Sequence, residues 1–146
     1  MKVRIGKHDL EMDGKYVRRL KDATAVKDDF DALRRRLDED GYLFIRGFHD
    51  REQVLRARKE ITDKLAAMGR LKPGTDPMDA VLADGNKGAG LFGTNEDLPE
   101  FLAVVNAPRV MGFFEKLLGG PVMTYDYKWL RAIPRGESTG AHYDIV

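Results

Sequence analysis

No cysteine occurs anywhere in the 146 residues. That absence excludes a disulfide framework, a thiolate nucleophile and any cysteine-based zinc or iron-sulfur site, so a metal held here must take imidazole and carboxylate ligands. No run approaches the roughly 18 apolar residues that span a bilayer, and residues 1–20 carry charges every few positions in place of a signal peptide's apolar stretch. Charge of one sign is lacking too. Lys and Arg number 25 and Asp and Glu 24, a formal charge of +1 that sets up no field for nucleic acid or anionic lipid. The expectation is a soluble, cytoplasmic protein with neither a nucleic-acid nor a membrane partner. What is present suits one domain: 146 residues, 42% of them hydrophobic, enough to bury roughly 68–70% of the unfolded surface without a metal or disulfide to help.

Along the chain, Asp13-Gly14 between Leu10-Glu11-Met12 and Lys15-Tyr16-Val17 is the two-residue signal for a tight hairpin. From Asp28 the spacing turns helical, with Phe30, Leu33 and Leu37 on one face and Gly41 as the stop. Residues 42–48 then read as a strand. Asp50 followed by Gln53 makes a capping-box pattern, and Val54, Ala57, Ile61, Leu65 and Met68 form a helical stripe ending at Gly69. Between Arg70 and Leu98 the prolines and glycines exclude a long regular element, leaving at most a turn of helix around Asp79 to Ala83. Asp97 and Pro99 open a short helix. Val110, Phe113, Phe114, Leu117 and Leu118 make the apolar face of another, which stops at Gly119-Gly120. Residues 122–133, aromatic and partly β-branched, read as a long strand whose period of two puts Tyr125, Tyr127, Trp129, Arg131 and Ile133 on one side and Lys128 on the other, toward solvent.

One spacing carries a clear chemical meaning. In His142-Tyr143-Asp144 the first and third residues would point the same way on a strand and could bind one metal ion, supplying two of three facial ligands. The plainer alternative is a surface strand that happens to carry both. The pair follows a Gly-containing turn after the aromatic strand, whereas His8 and His49 have no carboxylate two places on. A second pattern, Gly88-Ala89-Gly90-Leu91-Phe92-Gly93, matches the dinucleotide fingerprint in letters only. That fingerprint must leave a buried strand and enter a helix, yet Asp84-Gly85-Asn86-Lys87 precedes it and polar residues with Pro99 follow. Arg34-Arg35-Arg36 and Arg56 to Lys59 lie off the apolar stripes among acids and read as solvated faces.

The order of helix, Tyr42 to Phe48, Asp-capped helix, glycine-rich loop, helical pair, Tyr127 to Pro134 and Thr139-Gly140-Ala141-His142-Tyr143-Asp144 resembles the N-terminal half of the phytanoyl-CoA dioxygenase-like family, over roughly Asp28 to Val146. The resemblance implies a non-haem Fe(II) oxygenase that uses 2-oxoglutarate. It also implies an α+β fold, N-terminal helices outside a double-stranded β-helix or jelly roll, and an iron site opened by His142 and Asp144. Related halogenating enzymes carry a small residue in place of the aspartate, so Asp144 implies hydroxylation of a small-molecule substrate. On the preceding strand, Arg131 could reach a 2-oxoglutarate carboxylate through paired hydrogen bonds, or it could be a rim residue packed on an aromatic ring. Trp129 and Tyr127 could wall the cofactor pocket or fill the barrel interior.

The family's second iron-binding histidine and its main basic residue for 2-oxoglutarate follow the His-x-Asp in later strands, which this sequence does not contain. Residues 1–146 are therefore expected to be one incomplete domain of this kind, inactive alone, and to self-associate through an open sheet edge. The rival reading is a non-catalytic α+β interaction module that pairs with a partner through an exposed strand edge.

Overall fold

The computed structural model describes residues 1–5, 7–85, 98–126, 128, 130, 132 and 133. They fall into two compact units, one within residues 1–46 and one within residues 47–133.

The first unit opens with β1 (Lys2–Ile5) and β2 (His8–Glu11), an antiparallel pair in the register Lys2↔Glu11, Val3↔Leu10, Arg4↔Asp9, Ile5↔His8. The expected hairpin exists, but its two-residue connection lies between Ile5 and His8, not at Asp13-Gly14. The observed register sets Lys2 against Glu11 and Arg4 against Asp9 and pairs Val3 with Leu10, favourable cross-strand matches that the other register forgoes. Arg4 grips Asp9 with two hydrogen bonds, of 2.8 and 2.9 Å. Asp13-Gly14 still turns the chain: Asp13 takes a left-handed φ of 65°, which aspartate tolerates, and the Gly14 N–H donates to the Glu11 carbonyl at 3.1 Å.

Helix α1 (Phe30–Asp40) forms where its stripe and its glycine stop place it, with Asp29 as the N-cap. Asp29 accepts from the Ala32 N–H at 2.9 Å, Leu33 is fully buried, and Gly41, at φ 75°, donates to the Leu37 carbonyl. Residues 42–48 are not a strand. One parallel bridge joins Phe44 to Asp22, the Ala23 N–H donates to the Phe44 carbonyl at 2.8 Å, and the Arg46 N–H goes to the Thr24 hydroxyl instead of a ladder. Gly47, at φ 60°, then ends the extended run.

In the second unit α2 (Arg51–Ala67) is capped by Asp50, which accepts from the Gln53 N–H at 2.8 Å. Only half of the capping box forms, because the Gln53 side chain donates to the Ala103 carbonyl at 2.9 Å. Ala57 and Leu65 of the stripe are buried, while Val54 and Met68 are exposed. An arm follows in which Leu71 bridges Leu82, and the Lys72 and Ala83 N–H groups donate to the carbonyls of Val81 and Arg70. Its single 3₁₀ turn, Pro77–Asp79, comes two residues earlier than expected, since Asp76 caps it at the Met78 N–H and Pro77 presets its first φ. Helices α3 (Pro99–Val105) and α4 (Pro108–Leu118) form where expected, each with proline at its first turn, though α3 packs against α2; Gly119, at φ 75°, closes α4.

Leu65 and Leu71 form a small core joined by Ile61, Ala66, Leu130 and Ala132. The described residues of 122–133 carry no ladder, so the expected strand is not formed over them, while residues 127, 129 and 131 of it lie outside the described residues; among the described residues only β1 and β2 are strands. Its two-residue alternation is nevertheless visible. Leu130 and Ala132 pack against α2 and the arm, whereas Tyr125 and Ile133, of the opposite parity, are exposed. Lys128 is half-buried, not turned wholly to solvent, and its Nζ donates to the Tyr125 carbonyl at 2.6 Å.

Candidate metal and cofactor site

The residues singled out for chemistry, His142 and Asp144 for the metal and Tyr127, Trp129 and Arg131 for the cofactor, lie outside the described residues. So does the Gly88 to Gly93 pattern. An imidazole and a carboxylate are donors of the kind that a facial Fe(II) site takes, so the chemistry of the pair fits that metal. Among the described residues no group of three or more histidine, aspartate or glutamate side chains is gathered to hold a metal ion. His8 sits exposed in β2, and His49 stands edge-on to Phe48, with ring centroids 5.1 Å apart, beside the start of α2.

Residues 121–124 form one wall of an apolar groove of about 540 Å³ whose other wall is α4 and the end of α3. Met111, Phe114, Leu118 and Met123 line it, with Thr124 as its one polar lining residue. From Phe114 of its lining the aromatic rings are linked in series: Phe113 meets Phe114 at 5.6 Å, Phe48 meets Phe113 edge-on at 4.9 Å, and the Arg109 guanidinium lies 5.2 Å from the centre of the Phe48 ring.

What orients α3 beside α2 was not readable from local sequence. The first turn of α3 has no side-chain cap of its own, and the Glu60 carboxylate of α2 takes that role by accepting from the N–H groups of Glu100 at 3.2 Å and Phe101 at 2.9 Å. Arg56 adds an ion pair to Glu100 at 3.2 Å, and Gln53 reaches Ala103 in the last turns of α3. The one available signal was negative: Leu98-Pro99-Glu100 offers no Ser, Thr, Asp or Asn directly before the proline, so the cap had to come from elsewhere.

The shifted titrations among the described residues belong to the first unit. The hydroxyl and backbone N–H of Thr24, then Arg46, hold the Asp22 carboxyl below its ordinary value. Asp40 and, more weakly, Tyr42 raise Lys21. These contacts tie residues 21–24 to α1 and residues 42–46, and they serve the frame of the unit.

No helix among the described residues is long and apolar enough to cross a membrane. No family model matches the chain, and no solved structure matches it significantly. Over 113 residues it is 32% identical to a protein named 1-deoxypentalenic acid 11-beta-hydroxylase from Streptomyces exfoliatus. It is 29% identical over the same length to one of that name from Streptomyces arenae. The matches take in 77% of this chain but 39% of each relative, so the chain spans well under half the length of the proteins it is similar to. The likeness is to hydroxylases, and at that level it agrees with the oxygenase resemblance drawn from the sequence.

Proposed function

We propose that the chain belongs to an Fe(II)- and 2-oxoglutarate-dependent oxygenase that hydroxylates a small organic molecule, with His142 and Asp144 as two of its iron ligands. The observation that carries this reading is the similarity to two hydroxylases over 113 residues, joined to a His-x-Asp pair of the right donor chemistry. When bound, iron would activate O₂, the oxidant, with 2-oxoglutarate giving two electrons as it becomes succinate and CO₂; the protein's part is to hold the metal, exclude water and aim the substrate carbon. In this reading Arg131 reaches a carboxylate of 2-oxoglutarate, Trp129 and Tyr127 wall the pocket, and the strands belong to a jelly roll with α1, α2, α3 and α4 outside it. These residues name two of the three protein ligands that a facial iron site takes, and neither the third nor the main basic partner of 2-oxoglutarate. Turnover by these residues alone is accordingly expected to be nil.

The test is an anaerobic titration with Co(II), followed by its visible absorption, of the wild type and of His142→Ala and Asp144→Ala. Weak binding that drops by about tenfold or more in each variant is expected, since even outer-shell partners of a metal commonly contribute that much. Equal binding in all three would overturn the assignment. Succinate formation from 2-oxoglutarate, above a protein-free control, would overturn the two-ligand limit.

A further inference from the structure

We draw no further inference here: the strongest candidate, the apolar groove between α4, the end of α3 and residues 121–124, carries nothing, because nothing in the structure shows what covers it.

Discussion

Glu60, in the middle of α2, accepts a hydrogen bond from the backbone N–H of Phe101 at 2.9 Å, so one helix caps the next across 41 positions of sequence. Two otherwise orphaned N–H groups at the start of α3 share this carboxylate, Glu100 being the other. Glu60→Ala should therefore cost about 1 kcal/mol, the usual scale of a lost cap, and the loss should concentrate in α3. Glu60→Gln keeps one oxygen acceptor and should lose less. Amide hydrogen exchange reads the difference: residues 100–102 should exchange faster in Glu60→Ala while the centre of α2 holds its protection. Uniform loss across α2 and α3 would mean that Glu60 acts through packing instead.

Two glycines of α4 should respond to alanine in opposite directions. Gly112 lies inside the helix with open space where a Cβ would go, so Gly112→Ala should stabilise by about 0.5–1 kcal/mol through the loss of backbone freedom in the unfolded chain. Gly119 also has open space, but its φ of 75° is left-handed, and Gly119→Ala should destabilise by about 1–2 kcal/mol. Urea unfolding of both variants checks the pair; the same sign for both would contradict the backbone argument.

Helices α1 to α4 were legible because stripe, opening proline and stop are local: Gly41, Asp50, Gly69, Pro99 and Gly119 act on backbone within a turn or two of themselves. Elements whose partners are remote were not. Asp13-Gly14 is a sound turn signal, yet the competing register with Lys2 and Arg4 decides where the hairpin closes. Tyr42 to Phe48 has the composition of a strand, but composition does not supply a neighbour, and Thr24 satisfies Arg46 in place of a ladder. Gln53 looked committed to its own helix end and instead reaches α3. At the candidate site the sequence shows an imidazole and a carboxylate two residues apart, His142 and Asp144, and both lie outside the described residues.

Acid should loosen the first unit through Asp22. Its carboxyl is held below the ordinary 3.8 by Thr24 first and Arg46 after it. A depressed carboxylate contributes stability that is full above its unfolded pKa and is lost as the pH falls through the lower, folded one. The contribution should thus be intact at neutral pH and disappear only below about pH 3.8. Carbon-detected NMR titration of the Asp22 carboxyl should show its midpoint move up in Thr24→Val and, by less, in Arg46→Ala. An unmoved midpoint in Thr24→Val would show that the hydroxyl plays no part.

The last prediction concerns association. Leu118 is 67% exposed and Met123 91%, and Phe114 lines the same groove with them; Tyr125, two residues past Met123, is 85% exposed. Contiguous apolar surface of this sort recruits other copies without a defined geometry. The sequence placed self-association on an open sheet edge; among the described residues of 122–133 there is no ladder, so the apolar side chains are the better carriers. The chain should accordingly elute as polydisperse species at low micromolar concentration. Leu118→Lys with Met123→Lys should shift it toward monomer, because both side chains already face water and the change removes adhesion without opening the Leu65 and Leu71 core. Light scattering behind a size-exclusion column measures the outcome. A compact wild-type monomer would show that this surface is not adhesive, and polydispersity that persists in the double variant would move the cause elsewhere in the chain.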